Sequence, residues 1–175
     1  DADPGNFSAI LGALSQIPCP AGEYQPYSGQ VSCLQADPGN FVQSQGEQSQ
    51  EECQPGGYQP YSGQQNCIDA DPGYFVDLVM ATTQTPCPSG TSNPNFSAMS
   101  QSSCLESEEG YYVATEGSAV QDKCAPGTYQ PSPGQSTCLE ADPGFFTSSE
   151  ASSSQEECAP GTYQPSPGQS TCLEA

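Results

Sequence analysis

Hydrophobic side chains recur singly along this chain, and stretches rich in Gly, Pro, Ser and Gln separate them. Aromatic residues return every 17 residues, with one longer step, and each lies two positions after a glycine. No stretch keeps apolar residues at helical spacing, and Gly or Pro interrupts every segment, so helices are not expected. The aromatic positions are Phe7, Tyr24, Phe41, Tyr58, Phe75, Tyr112, Tyr129, Phe146 and Tyr163, with Ser92 in the remaining place. The pattern predicts short β-strands joined by tight turns, with the aromatic rings forming a small core.

The glycines in front of these aromatics set the register of a repeat. They stand 17 residues apart, except for one step of 20 residues between Gly90 and Gly110. Pro usually precedes this glycine, and Pro–Gly is typical of a tight turn because Pro fixes φ and Gly accepts a positive φ. A second glycine often follows seven residues later and predicts a second turn. Each half-repeat is therefore predicted to contain a turn, a strand, a second turn and a return strand.

Two half-repeats, one without cysteine and one with two cysteines, form a full repeat of 34 residues. The five repeats are expected at residues 2–35, 36–69, 70–106, 107–140 and 141–174, and the third carries a three-residue insertion. The predicted fold is a small, disulfide-rich, all-β repeat, arranged as an elongated rod of ten half-repeats. Two arrangements remain open: hairpins with local antiparallel pairing, or a β-solenoid whose 17-residue coils stack in parallel.

The ten cysteines occupy only every second half-repeat, three residues before and eleven residues after the first glycine once the insertion is allowed for. In the half-repeats between, both places change together, to Ala or Ser in the first and to Gln in the second. Joint loss is expected of bonded partners, because one remaining cysteine would be a free thiol. An even number of cysteines without histidine also favours disulfides over a metal site. The predicted bonds are Cys19–Cys33, Cys53–Cys67, Cys87–Cys104, Cys124–Cys138 and Cys158–Cys172.

Composition alone is typical of a disordered chain. Leu, Ile, Val and Phe total 22 of 175 residues, and the net charge is -20 with Lys123 as the single base. Such a chain has little apolar surface to bury, but disulfides make small units of this kind stable. Persistent disulfides predict an oxidising compartment, so we expect a secreted or cell-surface protein. No segment is apolar enough to span a membrane, and the negative charge argues against nucleic acid as a partner.

The stretches "CPAGEYQPYSGQVSC" (19–33) and "CAPGTYQPSPGQSTC" (124–138 and 158–172) carry a family resemblance. Their pattern of Cys, Gly, Tyr, a glycine turn and Cys resembles the cysteine-rich modules of ephrin-receptor-like and tumour-necrosis-factor-receptor-like extracellular regions. The likeness extends to tandem arrays in large secreted surface proteins of microbes. In the family a further cysteine often follows the second one, whereas here that place holds Ala36, Ala70, Ser107, Ala141 or Ala175. The resemblance implies an elongated rod of small β-modules outside the cell.

Candidate chemistry is sparse. Without histidine there is no Ser-His-Asp or Cys-His arrangement, a Ser–Lys pair has only Lys123 to use, and the acids recur with the repeat instead of converging. We therefore expect a non-enzyme that holds no cofactor. The segment "DADPG", at residues 1–5 and 69–73, begins like a calcium loop but lacks the later acidic ligands. An Asp–Pro–Gly turn is the simpler interpretation, with calcium as a possible partner.

Two sequons, at Asn6 and Asn95, are candidate acceptors for N-linked sugar.

The sequence favours an extracellular structural protein, a disulfide-stapled rod that serves as a stalk, surface fibre or filament. The alternative is a receptor or adhesin ectodomain that binds a protein, a glycan or calcium, with the irregular segment 87–104 as the candidate site. The expected partner in the first case is the array itself, by head-to-tail self-association or by continuation of a longer repeat chain.

Overall fold

The structure is a computed structural model that describes residues 1–10 and 12–175. In these residues every strand is two residues long and pairs with the next strand of its own half-repeat. The hairpins are β1 (Asn6–Phe7) with β2 (Ile17–Pro18), β3 (Glu23–Tyr24) with β4 (Leu34–Gln35), β5 (Asn40–Phe41) with β6 (Glu51–Glu52), β7 (Gly57–Tyr58) with β8 (Ile68–Asp69), β9 (Tyr74–Phe75) with β10 (Thr85–Pro86), β11 (Thr91–Ser92) with β12 (Leu105–Glu106), β13 (Tyr111–Tyr112) with β14 (Asp122–Lys123), β15 (Thr128–Tyr129) with β16 (Leu139–Glu140), β17 (Phe145–Phe146) with β18 (Glu156–Glu157), and β19 (Thr162–Tyr163) with β20 (Leu173–Glu174).

The strand pairing is local and antiparallel, as in the register Tyr24↔Leu34 and Tyr58↔Ile68. This decides between the two arrangements left open by the sequence, because a solenoid would stack its coils in parallel. The prediction of a small, disulfide-rich, all-β repeat is confirmed. We number the half-repeats 1 to 10, and they comprise residues 2–18, 19–35, 36–52, 53–69, 70–86, 87–106, 107–123, 124–140, 141–157 and 158–174.

Helical structure is nearly absent from the described residues. One turn of 3₁₀-helix, Gln101–Ser103, lies within the lengthened half-repeat 6. The described part of the chain has no helix with the length and hydrophobicity that a bilayer crossing requires.

Both glycines of the half-repeat take the left-handed conformation that the turn prediction requires. Gly5, at φ +81°, lies in an Asp–Pro–Gly turn in which Asn6 N–H donates to Asp3 C=O at 3.0 Å. A turn with Pro as its second residue and a positive φ at its third residue is of type II. The position seven residues later, which we call the second-glycine position, is left-handed even where glycine is missing. There the residues are Met80, Ser97 and Ala151, at φ 54–55°.

The core is thinner and less aromatic than the sequence pattern predicts. Among the largest fully buried side chains are Val42, Val113 and Thr147, which all lie three residues after a first glycine. Most of the repeating aromatic rings are half-buried instead, although Phe75 is 6% exposed. The expectation of an aromatic core is wrong in this respect, because a two-residue strand leaves the ring at the edge of its layer. The buried hydrophobic side chains are mostly small, namely Ala, Val and the first cysteine of four of the five bonded pairs.

The chain divides into two compact units. Unit 1 comprises residues 1–71, 75–85 and 96–100, and unit 2 comprises residues 72–74, 86–95 and 101–175. Unit 1 contains the disulfides Cys19–Cys33 and Cys53–Cys67. Unit 2 contains Cys87–Cys104, Cys124–Cys138 and Cys158–Cys172.

Candidate functional site: the interface between half-repeats

Five disulfides close the even-numbered half-repeats, and each bond joins the two cysteines of one hairpin. The Cα–Cα distances are 5.6–5.8 Å, within the usual range for a disulfide. The first cysteine is fully buried in the pairs that begin at Cys19, Cys53, Cys87 and Cys124, whereas Cys158 is half-buried. No described cysteine is free. Each bond therefore ties the entry of a half-repeat to its exit without linking one half-repeat to another.

The odd-numbered half-repeats are closed by a glutamine in place of the second cysteine. In half-repeat 1, Gln16 Oε1 accepts the Asp3 N–H, and Gln16 Nε2 donates to the Asp3 carboxylate at 2.9 Å. The same pair of bonds recurs as Gln50 with Asp37, Gln84 with Asp71 and Gln155 with Asp142. In half-repeat 7 only the backbone bond forms, from Glu108 N–H to Gln121 Oε1 at 2.8 Å. We call this contact the glutamine staple.

A second alternation concerns the residue three positions after the first glycine. In half-repeats 2, 4, 8 and 10 this residue is a buried glutamine, and in half-repeat 6 it is the buried Asn93. Gln25 Nε2 donates to Ser32 C=O at 2.8 Å, and Gln25 Oε1 accepts the Tyr27 N–H at 3.2 Å. These bonds fold the second turn around the side chain. Buried side-chain N and O atoms in the described residues all have partners, so the polar core costs little in lost hydration.

Successive half-repeats are joined by four backbone hydrogen bonds, which form the same pattern in both units. Between half-repeats 2 and 3 of unit 1 they are Gly22 N–H to Val42 C=O (2.8 Å), Gln25 N–H to Glu47 C=O (3.1 Å), Gly46 N–H to Cys19 C=O (2.8 Å) and Ala36 N–H to Gly22 C=O (2.9 Å). Between half-repeats 8 and 9 of unit 2 they are Gly127 N–H to Thr147 C=O (2.8 Å), Gln130 N–H to Ser152 C=O (3.0 Å), Ala151 N–H to Cys124 C=O (2.8 Å) and Ala141 N–H to Gly127 C=O (2.9 Å). The layers are thus held together by backbone groups that any sequence with the right turns can supply.

A closer contact links each half-repeat with the next but one. A Cβ atom at Gly22 would overlap the carbonyl oxygen of Gly63 in unit 1, and one at Gly127 would overlap that of Gly168 in unit 2. The same relation joins Gly39 to Met80 and Gly110 to Ala151. The first glycine is therefore required twice, once for its positive φ and once because no side chain fits.

The surface offers little recognisable chemistry. The ion pair between Lys123 and Glu150, at 3.6 Å, joins two largely exposed side chains and contributes little to stability. Within residues 1–10 and 12–175 no cluster of three or more His, Cys, Asp or Glu side chains could hold a metal ion. Asp3 and Asp71 are the third residues of the two calcium-like "DADPG" segments, and their carboxylates accept hydrogen bonds from Gln16 and Gln84. These acids serve the staple.

The two sequons lie in different surroundings. Asn6 is half-buried in β1, and its Nδ2 donates to Pro4 C=O at 3.2 Å. Asn95 is exposed in the second turn of half-repeat 6. In the same half-repeat, Phe96 and Met99 are 65% and 63% exposed. The irregular segment 87–104 is thus closed by its own disulfide and presents apolar side chains to solvent.

The pattern of Cys, Gly, Tyr and turn glycine, repeated in disulfide-closed hairpins, agrees with a known family. Residues 110–158 match the family model for the tyrosine-protein kinase ephrin type A/B receptor-like module. The resemblance seen in the sequence is confirmed over these residues, and the five disulfide-closed tandem repeats fit cysteine-rich modules of the ephrin-receptor-like type. Repeats of this type indicate an extracellular domain. A search of curated proteins finds no match to the chain.

The glutamine staple was not recognised in the sequence, although its signal was present. The glutamine appears wherever the cysteines are absent, and an acidic residue follows the first cysteine position in the same half-repeats. The acids are Asp3, Asp37, Asp71, Glu108 and Asp142. Joint variation of three positions is a stronger sign of contact than the two positions used for the disulfides. Bonded and stapled hairpins therefore alternate along the chain.

Proposed function

We propose that this chain is an extracellular structural protein, a repeat array that forms a stalk, surface fibre or filament. The observation that carries the proposal is the uniform junction between half-repeats. The same four backbone bonds recur within unit 1 and within unit 2, although the side chains around them differ. A junction built from backbone groups has no preferred number of copies, so selection can set length by adding repeats.

The range of the contacts favours an extended array. Each half-repeat bonds the next one and abuts the next but one, and its disulfide or staple stays within a single hairpin. Stability is then a sum of local terms and neighbour interfaces. We infer an elongated rod, in which every disulfide protects its own layer and none closes the array on itself.

The partner that fits best is more of the same array. At the first glycines of half-repeats 1 to 8, a backbone carbonyl oxygen of the next half-repeat but one fills the space that a Cβ would need. This contact and the four junction bonds use backbone groups that recur with the repeat. We propose that the chain associates with further repeats of the same kind, from the same polypeptide or from a second copy in head-to-tail register.

An insertion experiment tests the rod. A second copy of residues 124–157 inserted after residue 157 keeps the register and adds one full repeat. A rod lengthens in proportion, by roughly 20% for one repeat added to five, whereas the radius of gyration of a compact domain rises by only roughly 7%. Small-angle scattering and negative-stain imaging measure the two quantities. A change near the compact value contradicts the proposed function.

Head-to-tail association is tested on the same samples. Sedimentation velocity over a range of concentrations should show end-to-end species for the 175-residue chain. Deleting residues 1–5 removes the turn and the staple of half-repeat 1. It should abolish these species and leave half-repeats 2 to 10 folded. A chain that stays monomeric at high concentration removes self-association from the proposal and leaves continuation within one polypeptide.

The second candidate, a receptor or adhesin ectodomain, is favoured by the irregular half-repeat 6. Its exposed Phe96 and Met99 have no counterpart in the regular segment 125–137. Replacing residues 88–103 by residues 125–137 restores a regular half-repeat. If the chain is a binding module, the wild-type protein should bind glycans on an array or bind Ca²⁺ in a titration. The variant with the replaced segment should show neither kind of binding.

A further inference from the structure

The fold accounts for Asn6 without reference to any sugar. Asn6 follows the first glycine of half-repeat 1, and Asn40 occupies the same place in half-repeat 3. Each side chain donates from Nδ2 to the carbonyl of the preceding proline, Pro4 at 3.2 Å and Pro38 at 3.3 Å. Asn40 is 2% exposed and lies in no sequon, because Val42 stands where Ser or Thr is needed. The asparagine at this place stabilises the Asp–Pro–Gly turn, and the sequon at 6–8 is a by-product.

Asn95 has no comparable role. Its side chain is exposed and makes no hydrogen bond in the described residues, while its backbone is held on both sides by Asn93. Asn93 Oδ1 accepts the Asn95 N–H, and Asn93 Nδ2 donates to the Asn95 C=O, both at 3.1 Å. Equivalent places in other cysteine-bearing half-repeats hold the exposed Tyr27 and Tyr61. Two hydrogen bonds thus hold the backbone of this turn, and the exposed side-chain amide of Asn95 lies outside them.

The third residue of this sequon is also unexplained by the fold. Ser97 occupies the second-glycine position, which is glycine in seven of the ten half-repeats. It takes φ +54°, a conformation that is unfavourable for a side-chain-bearing residue. Its hydroxyl makes no hydrogen bond in the described residues. Met80 and Ala151 show that the position tolerates other residues, but only here does the residue complete a sequon.

We propose that Asn95 is an N-glycosylation site of this protein and that Asn6 is not. An oligosaccharyltransferase of the secretory pathway catalyses the reaction, in which the Asn95 Nδ2 attacks the anomeric carbon of a lipid-pyrophosphate-linked oligosaccharide. The N–C bond forms as the bond from that carbon to the pyrophosphate oxygen breaks, one amide proton is lost, and the lipid pyrophosphate leaves. The inference rests on the extracellular part of the proposed function and is independent of the rod.

A sugar on Asn6 would conflict with the surroundings of that side chain in the folded hairpin. N-linkage places the glycan on the Nδ2 that donates to Pro4 C=O, beside the backbone bond between Asn6 N–H and Asp3 C=O. A glycan added to the nascent chain would therefore have to be accommodated in a half-buried turn. At Asn95 the same addition displaces only water, so the folded, secreted product carries one glycan.

The experiment is secretion of the 175-residue chain from a eukaryotic cell line, followed by intact mass measurement before and after peptide N-glycosidase. We expect one glycan, converted to a single Asn→Asp mass change at position 95 after enzymatic release. Asn95→Gln and Ser97→Ala should remove it, and Ser97→Thr should retain it. Ser8→Ala, which destroys the other sequon and leaves the Asn6 turn intact, should change nothing.

A matched control tests the role of the turn. Val42→Thr creates a sequon at the buried Asn40, and Thr147 occupies this place in half-repeat 9 with its hydroxyl bonded to Thr128 C=O. The secreted Val42→Thr protein should gain no glycan at Asn40. A glycan at Asn6 or Asn40 in the folded product, or none at Asn95, overturns the proposal. Neither result bears on rod length, which the insertion experiment measures separately.

Discussion

Gln50 is bonded twice to Asp37 at the place where the neighbouring half-repeats carry a disulfide. The Asp37 N–H donates to Gln50 Oε1 at 2.7 Å, and Gln50 Nε2 donates to the Asp37 carboxylate at 2.9 Å. In half-repeat 4 the corresponding closure is the bond between Cys53 and Cys67. A non-covalent and a covalent closure therefore follow each other in half-repeats 3 and 4, whose strands pair in the same register.

Replacing Gln50 by Ala should loosen half-repeat 3 alone. The loss of two partly exposed hydrogen bonds, one of them to a carboxylate, costs about 1 kcal/mol of local stability. Hydrogen exchange over residues 36–52 is the measurement, because a repeat array does not unfold as a single two-state unit. Gln48→Ala is the control, because the Gln48 side chain is exposed and makes no hydrogen bond to residues 1–10 or 12–175. Equal protection in the two variants would show that the staple contributes nothing.

The steric role of the first glycine can be separated from its backbone role. Gly39 and Gly63 have φ values of +82° and +70°, but a Cβ at Gly39 would overlap the Met80 carbonyl oxygen, whereas at Gly63 the nearest atom is Gln35 Cδ at 3.5 Å. Gly63→Ala should cost about 1 kcal/mol for left-handed strain. Gly39→Ala should cost about 1–3 kcal/mol more for overpacking.

Thermal unfolding of the two glycine variants, followed by near-ultraviolet circular dichroism, provides the comparison. Both substitutions add the same methyl group at a similar backbone conformation, so the difference between them isolates the clash. If Gly39→Ala and Gly63→Ala lower the unfolding temperature equally, the close approach between half-repeats 3 and 5 is not a constraint on the sequence.

Ala151 offers the opposite change. It holds φ +55° at a position where glycine is usual, so Ala151→Gly should relieve strain and stabilise unit 2 by about 0.5–1 kcal/mol, after the entropic cost of glycine. Ala125→Gly is the control, because Ala125 has no positive φ and the substitution adds only flexibility. Chemical denaturation should give the two variants opposite signs. A destabilised Ala151→Gly protein would contradict the strain argument.

The repeat itself could be read from the sequence because glycine and proline act locally. Pro–Gly at a constant spacing fixes a turn wherever it occurs, and the left-handed φ at Gly5 and Gly46 follows from chemistry within a few residues. The joint replacement of both cysteines likewise requires no knowledge of the layers. Strand pairing within a hairpin depends on the same local turns.

The core and the layer contacts could not be predicted in the same way. Whether Phe41 or Val42 is buried depends on how half-repeats stack, and alternation along a two-residue strand is too short to show it. The overlap between Gly39 and the Met80 carbonyl spans two half-repeats, and no single-turn argument reaches that far. The exposed Asn95 and the engaged Asn6 share one tripeptide, so only their surroundings distinguish the two sequons.

Tyr58 should make stability depend on alkaline pH. Burial, then the Asp71 carboxylate and then Tyr61, raise the pKa of Tyr58 above its usual value of 10.0. The folded state therefore keeps the proton more tightly than the unfolded state, and this contribution is complete below pH 10.0. It is lost as the pH rises through the folded-state pKa. Tyr58→Phe should weaken the alkaline fall in stability. The measurement is denaturation over a pH range that extends roughly one unit below and one unit above the usual tyrosine pKa.

The spectroscopic check on Tyr58 is the absorbance of tyrosinate on titration. Subtracting the Tyr58→Phe curve from the wild-type curve should give a group that ionises above the usual tyrosine pKa of 10.0. Asp71→Asn, which removes the neighbouring charge, should move that group back toward its usual pKa. A difference curve centred below pH 10.0 would contradict the assigned direction.

The two closures should be partly interchangeable. Cys53→Ala with Cys67→Ala removes a disulfide of 14 residues' separation, which stabilises its half-repeat by roughly 3 kcal/mol in the chain-entropy model. Cys53→Ala, Gln54→Asp and Cys67→Gln together install the staple instead and should recover about 1 kcal/mol of that loss. Hydrogen exchange over residues 53–69 gives the local values, with Gln54→Asp in the intact background as the control.

The reverse exchange, Ala36→Cys with Gln50→Cys, should form a bond detectable by non-reducing peptide mapping, since Ala36 and Cys53 both lie buried at the start of equivalent hairpins. Free thiols at both new cysteines under oxidising conditions would show that stapled and bonded half-repeats differ in geometry, and the alternation would then be a requirement of the stacking.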